Sequence, residues 1–390
     1  MGNYRLAGGQ LITDQGIVPC DLLISGSKIQ EIISREEITD DSYAVVDCEG
    51  LYISPGFVDI HQHGGGGSDY MDDDPDAYYH ATEAHLRHGT TSVMPTLLSA
   101  DEKNIHRAVD AYLQATGDPR IRANLLGIHV EGPYISAAQA GAQKPEHIRD
   151  FDPEEYERIW KRSQGTIKRW SVAPEVKGAK EFARFAKEKG IALSIAHSNA
   201  DLETVEEAFR WGFTHVTHFY SCISTITRKG GFRVPGVLEA GYFIDDMDVE
   251  LIADGCHLPL SLLQYVCKFK AYPHIALVTD AMRAAGQNVK ESFLGSMDDP
   301  LPVIIEDGVA KLQDRSAFGG SIATADRLVA NMVKAGVALQ DAVRMMTATP
   351  LEMMGLQLKK GLIRKGFDAD LCVFDENIQI RQVFCMGQPV

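Results

Sequence analysis

Eight short apolar runs, separated by segments of helical periodicity, constrain the fold more than any other feature of the sequence. The runs cover residues 56–60, 91–98, 124–130, 169–174, 191–196, 214–219, 249–254 and 274–280. Runs this short and this apolar are typical of strands that are buried on both faces, as in a parallel sheet. Because helical patterns alternate with them, the sequence predicts an α/β fold, a (β/α)8 TIM-type barrel.

Short strand patterns near both ends of the chain predict a second, smaller unit. Residues 21–34 alternate around a turn at Ser25–Gly26, and residues 369–375 and 380–390 contain two further strand patterns. We therefore expect residues 1–54 and 365–390 to form a small β-sandwich domain, and residues 55–364 to form the barrel. Within the barrel segment, a hairpin is expected at 303–313, followed by one helix in 322–336 and one in 339–355.

Charge and cysteine usage restrict the partners and the compartment. The formal net charge of −16 argues against nucleic acid or an anionic membrane as the main partner. We expect neither a signal peptide nor a membrane span, because the sequence has no long apolar segment near its start and no run of 18 apolar residues. The seven cysteines are dispersed without a CxxC pair, which indicates reduced thiols and a cytoplasmic protein.

Polar residues stand where six of the eight predicted strands end, which is the rim that carries the active site in TIM-type barrels. These strand ends contain His61 and His63, Glu131, His197, His218, His257 and Asp280. Taken singly, most have a structural explanation: Glu131 could join a buried ion pair, His197 could be a core histidine, and Asp280 could cap a helix. Taken together they predict a divalent-metal site, because one Glu and two His with an open position are the ligands of a catalytic zinc ion.

Two further patterns bear on this site. His61 and His63 are two residues apart, so both side chains point to one face of an extended chain and could chelate one ion. His215 and His218 are three apart and cannot both face the barrel axis on a regular strand, and we favour His218 because it is nearer the strand end. Asp280 is the candidate base that takes a proton from an activated water.

Seven motifs, in order along the chain, give the sequence a specific resemblance. They are PGFVDIHQHG (55–64), GIHVEGPYI (127–135), IAHSNAD (195–201), VTHFYS (216–221), ELIADGCHL (250–258), LVTDAM (277–282) and FGGSIATADRL (318–328). With them the chain resembles the amidohydrolase superfamily and, more narrowly, the N-acetylglucosamine-6-phosphate deacetylases. The resemblance implies hydrolysis of the acetamide of N-acetylglucosamine 6-phosphate, giving acetate and glucosamine 6-phosphate.

The resemblance also implies roles for individual residues. Glu131, His197 and His218 match the primary metal ligands, and His61 and His63 match a pair that can hold a second ion. The implied cofactor is therefore one or two divalent ions, foremost zinc, with iron, manganese or cobalt as alternatives.

Other positions match the catalytic and substrate-binding residues of the family. Asp280 matches the catalytic aspartate and His257 a substrate contact. Arg233, with Arg228 as a rival, matches an arginine that reaches the sugar phosphate across a dimer interface, so a homodimer is implied.

The sequence departs from the family at two substrate-binding positions. Gln143 stands where many members have a histidine, and Ser221–Cys222–Ile223 stands where many have Asn–Ala–Met. These departures keep open a second substrate, another N-acetylhexosamine 6-phosphate such as the galactosamine epimer. A cyclic-amide hydrolase is a further alternative, against which the lack of a bridging lysine argues. A non-catalytic barrel scaffold is the third, against which the intact ligand set argues.

Overall fold

The computed structural model describes residues 2–36, 42–74, 76–356 and 358–390, so residues 1, 37–41, 75 and 357 of the predicted domains lie outside the described residues. Strands dominate the N-terminal segment. In chain order they are β1 (Asn3–Ala7), β2 (Gln10–Thr13), β3 (Gly16–Val18), β4 (Asp21–Ser25), β5 (Lys28–Ile33), β6 (Ala44–Asp47) and β7 (Tyr52–Pro55).

Strands and helices then alternate, as the sequence predicts. In chain order they are β8 (Phe57–Gln62), β9 (Gly64–Gly65), β10 (Ser68–Asp69), α1 (Ala77–Leu86), β11 (Thr90–Leu97), α2 (Glu102–Ala115), β12 (Asn124–Leu125), β13 (Ile128–Glu131), α3 (Pro153–Arg162), β14 (Ile167–Val172), α4 (Ala179–Lys189), β15 (Ala192–Ile195), α5 (Leu202–Trp211), β16 (Phe213–Val216), β17 (Thr227–Lys229), β18 (Phe232–Val234), α6 (Val237–Phe243), β19 (Asp248–Leu251), α7 (Leu260–Phe269) and β20 (Ile275–Leu277).

Eight of these strands form a parallel barrel in the order β8-β11-β13-β14-β15-β16-β19-β20. A parallel bridge between Gln62 and Ala281 joins the two ends of the sheet at the rim. The predicted TIM-type barrel is therefore confirmed. Helix ends follow local sequence signals: the Asp201 side chain accepts a hydrogen bond from the Thr204 N–H at the start of α5, and Gly212 ends that helix with a φ of 110°.

A three-stranded antiparallel sheet and three helices follow the barrel strands. They are β21 (Glu291–Leu294), β22 (Leu301–Glu306), β23 (Val309–Leu312), α8 (Ala325–Lys334), α9 (Leu339–Met345) and α10 (Ala348–Met353). The predicted hairpin is present, with Asp307 and Gly308 between β22 and β23. The prediction of a single helix within 339–355 is wrong, because α9 and α10 are separate helices. Between them Thr347 leaves the helical region (φ −132°, ψ −79°), and its Oγ1 donates a hydrogen bond to the Val343 carbonyl.

The C-terminal strands return to the N-terminal part of the chain. They are β24 (Leu371–Phe374), β25 (Ile380–Cys385) and β26 (Gln388–Pro389). They continue one sheet in the order β26-β25-β24-β7-β2-β3, and a second sheet has the order β5-β4-β1-β6. One buried apolar cluster combines residues of both ends, among them Leu6, Leu22, Ile53, Leu371 and Phe384. The exact domain boundaries, 1–54 plus 365–390 against 55–364, stay a prediction.

No helix in the described part of the chain combines the length and apolarity needed to cross a bilayer.

Candidate metal centre

The carboxyl ends of the barrel strands bring the predicted ligands together. His61 lies on β8 and Glu131 ends β13, whereas His197, His218 and Asp280 follow β15, β16 and β20 by two or three residues. His197, His218 and Asp280 have φ values of 46°, 31° and 46°, in the left-handed region that non-glycine residues rarely adopt. Such backbone strain costs about 1–3 kcal/mol per residue and is concentrated at functional sites.

Glu131, His197 and His218 form the first ligand group, with ligand atoms within 4.8 Å of one another. Glu131 Oε1 lies 3.2 Å from His197 Nε2 and 2.9 Å from His218 Nε2, and the two Nε2 atoms are 3.3 Å apart. Two nitrogens bound tetrahedrally to one zinc ion at about 2.0–2.1 Å would lie about 3.3 Å apart. The spacing therefore fits a divalent ion. His218, rather than His215, belongs to this group of side chains.

His61, His63 and Asp280 form a second ligand group beside the first. The Nε2 atoms of His61 and His63 are 3.3 Å apart, and Asp280 Oδ1 lies 3.3 Å from His61 Nε2 and 3.1 Å from His63 Nε2. Glu131 links the groups, because its Oε2 lies 3.4 Å from His63 Nε2. Two groups of metal-ligand type therefore lie side by side, with Glu131 between His63 and the histidines of the first group.

The electrostatics of the site call for positive charge between the carboxylates. Burial opposes ionisation of Glu131, but His61 and hydrogen bonds from His197 and His218 hold its pKa well below the usual range. Burial likewise opposes ionisation of Asp280, whose pKa is nevertheless lowered by the charge of His61 and a hydrogen bond from His63. Two buried carboxylates can be accommodated only when cations, either protonated histidines or metal ions, lie beside them.

Surrounding groups orient two of the histidines. His197 Nδ1 donates to the Gln139 carbonyl at 2.8 Å, which leaves Nε2 free to face Glu131. His257 Nδ1 lies 2.8 Å from Asp254 Oδ2, which leaves its Nε2 for another partner. The orienting role of the Gln139 carbonyl has no sequence signal, because any residue supplies a main-chain oxygen.

A cavity of about 230 Å³ opens above the ligand groups. It brings the ligands together with the predicted substrate residues Gln143, Ser221, Cys222 and His257. None of the described residues that line it is Lys or Arg.

Arg228 and Arg233 lie instead on the exposed hairpin β17–β18, where they stand directly opposite each other. From the sequence, Arg228 and Arg233 are alternatives for the phosphate contact. In the structure, their register places both side chains on the same face of the hairpin.

Comparison with known proteins places these features in a family. The amidohydrolase family model matches residues 52–390. The N-acetylglucosamine-6-phosphate deacetylase of Bos taurus is 29% identical over 399 residues, covering 99% of this chain and 93% of that protein. The N-acetylgalactosamine-6-phosphate deacetylase of Escherichia coli O157:H7 is 30% identical over 346 residues, covering 88% and 89%.

A solved structure of a deacetylase also resembles this chain over its whole length. A mutant N-acetyl-D-glucosamine-6-phosphate deacetylase from Mycobacterium smegmatis, in complex with N-acetyl-D-glucosamine-6-phosphate, superposes with a TM-score of 0.90 at 26% identity. The match covers 100% of this chain and 99% of that one.

Proposed function

The chain belongs to the amidohydrolase family, and from this premise we propose that it hydrolyses the acetamide of N-acetylglucosamine 6-phosphate to acetate and glucosamine 6-phosphate. Relatives of that activity match the chain over nearly its whole length. The observation that carries the proposal is the pair of adjacent ligand groups at the floor of an open cavity. That arrangement suits metal-assisted hydrolysis of a small substrate.

Glu131, His197 and His218 would hold one divalent ion, and His61, His63 and Asp280 would hold a second. Zinc is the proposed metal because nitrogen and oxygen ligands at tetrahedral spacing suit it, with iron, manganese or cobalt as alternatives. When bound, a divalent ion supplies Lewis acidity that acidifies water toward a pKa of about 7 and polarises a carbonyl.

Asp280 is the proposed base. Its lowered pKa keeps it ionised at neutral pH, and its side chain lines the cavity. It accepts the proton of the water whose oxygen bonds to the acetyl carbon, and it returns that proton to the nitrogen as the C–N bond breaks. His257, held by Asp254, is positioned to contact the sugar or the carbonyl oxygen.

The phosphate contact is proposed to come from a second subunit. The described cavity lining has no Lys or Arg, and Arg228 and Arg233 form an exposed pair of like charges that an anion would stabilise. We therefore propose a homodimer in which this pair reaches the phosphate of the neighbouring site. Replacing both by Met should raise KM for the phosphorylated sugar and leave metal content unchanged, and an unchanged KM would refute this part.

A second substrate candidate is N-acetylgalactosamine 6-phosphate. It is favoured by the 30% identical relative of that activity and by Gln143 and Ser221–Cys222 in the cavity. Side-by-side kcat/KM values for the two epimers decide between them. A cytoplasmic location is also proposed, since all seven cysteines are free thiols.

The deciding experiment measures acetate release after the metal content has been determined. Both epimers are supplied with and without the 6-phosphate, and a cyclic amide such as a hydantoin is included. The proposal is supported if N-acetylglucosamine 6-phosphate is the only one of these compounds from which acetate is released fast. Turnover only of the cyclic amide would instead indicate a cyclic-amide hydrolase, and no bound metal with no turnover would indicate a scaffold.

A further inference from the structure

Gln143 is locked between two neighbours at the floor of the cavity. It is only 6% exposed, its Oε1 accepts a hydrogen bond from the Ser99 N–H at 3.0 Å, and its Nε2 donates to Glu131 Oε2 at 3.0 Å. A main-chain N–H can only donate and an ionised carboxylate can only accept, so these partners fix which end of the amide faces which neighbour.

This contact distinguishes the two oxygens of Glu131. Oε2 carries the hydrogen bond from Gln143, and Oε1 is the oxygen that lies 2.9–3.2 Å from the Nε2 atoms of His218 and His197. Without the amide, the carboxylate could rotate about its last side-chain bond and lose this alignment. The anchor itself is rigid, because the Ser99 N–H that holds Gln143 belongs to the main chain just beyond β11.

The segment that contains Gln143 contacts a second ligand of the same group. The Gln139 carbonyl accepts a hydrogen bond from His197 Nδ1 at 2.8 Å. On the far side of Gln143, Lys144 and His147 both pair with Asp299, and the His147 Nε2–Asp299 Oδ2 distance is 2.8 Å. One anchored segment, residues 139–147, thus orients two of the three ligands in the first group.

We infer that Gln143 is a positioning residue of the metal centre, acting through Glu131 on the ion held with His197 and His218. This role rests on the proposed function and differs from the substrate contact that the sequence predicts for Gln143. If Gln143 positions Glu131, replacing Gln143 lowers the affinity for metal even when no substrate is present. A sugar contact alone changes KM and leaves metal affinity intact.

The test uses Gln143→Met, which keeps the length of the side chain but cannot donate, and Gln143→Ala. Metal affinity is measured without substrate, by competition with a chromophoric chelator, and the visible spectrum of the cobalt-loaded protein reports ligand geometry. Loss of a partner that orients a metal ligand typically lowers metal affinity 10–100-fold. We expect a loss in that range for both variants, with an altered cobalt spectrum.

Gln340→Ala is the control, because Gln340 is a half-buried glutamine whose side chain donates one hydrogen bond, to the Thr13 carbonyl, and does not line the cavity. It should retain wild-type metal affinity and the wild-type cobalt spectrum. Wild-type affinity and spectrum in Gln143→Met would overturn the inference, whatever its KM. Failure of the proposed function is a separate result, since it would appear in the wild-type protein as absent metal or absent acetate release.

Discussion

His85 should make the protein less stable as the pH falls, because the fold accepts only its neutral form. The side chain, on α1, is 1% exposed, and its Nε2 donates to the Gly64 carbonyl at 2.9 Å. Its Nδ1 has no hydrogen-bond partner among the described residues. Burial outweighs the hydrogen bond to Gly64 and lowers the pKa of His85 from 6.5 to about 4.

The direction and size of the effect of His85 on stability follow from proton linkage. Between pH 6.5 and 4 the unfolded chain binds a proton at His85 that the folded chain does not, so acid favours unfolding. The stabilising contribution is complete above pH 6.5 and is lost as the pH falls toward 4. With these two pKa values, the free energy of unfolding should fall by about 2 kcal/mol between pH 7.5 and pH 5 because of this residue alone.

Urea unfolding of the wild type and His85→Gln at both pH values measures this contribution. Glutamine can still donate to Gly64 but does not titrate, so the variant should lose about 2 kcal/mol less than the wild type on acidification. Other titrating groups and metal release cancel in the comparison. His80→Gln, on the exposed side of the same helix, is the matched control and should follow the wild type. Equal losses in wild type and His85→Gln would refute the argument.

Three other predictions concern the metal centre and the glycine that follows Glu131. Asp280→Asn should abolish acetate release and, because Asp280 faces His61 and His63, reduce a two-ion protein to one ion by metal analysis; unchanged turnover would refute its assignment as base. Gly132→Ala should destabilise the fold by at least about 1–2 kcal/mol in urea, because Gly132 has a φ of 82° and a Cβ there would lie 2.1 Å from Ser99 Oγ. Adding Ser99→Ala should recover the part due to that contact, and strictly additive costs would argue against it. Removal of metal by a chelator should lower the melting temperature. Adding the ion back at about 1,000 times its Kd should raise the free energy of unfolding by about 4 kcal/mol. An unchanged melting temperature would exclude specific binding to the folded state.

The barrel and the ligand positions could be predicted because both depend on periodic or local signals. Apolar runs mark strands that are buried on both faces, and chain direction alone places their last residues on one rim. Glu131, His197 and His218 therefore converge in the structure although they are far apart in sequence. Asp280 also lies on that rim, but its closeness to His61 and His63 depends on the closure of the barrel between its first and last strands.

Contacts between distant segments cannot be predicted from the sequence. The hydrogen bond from Gln143 to Glu131 depends on how a long loop folds back over the rim, and no local pattern specifies that path. The opposed pair of Arg228 and Arg233 depends on the register of a short hairpin with two consecutive glycines at its turn. A slip of one residue would separate the two side chains onto opposite faces.

The interior of the barrel explains why the strands could carry such a site at all. Arg169 and Glu250 are fully buried beneath the ligand groups and form an ion pair. Arg169 also donates hydrogen bonds to the Ile60 carbonyl and to Thr217 Oγ1, so its charge is both paired and hydrogen-bonded. Because a buried charge is tolerated only when it is paired and hydrogen-bonded, this arginine allows a carboxylate to lie under the histidines. Glu250 Oε2 lies 3.5 Å from Nδ1 of His61, close enough to favour a proton on that nitrogen and leave Nε2 as the ligand atom. The rim residues that the sequence reveals thus depend on a charged pair inside the barrel that its apolar pattern conceals.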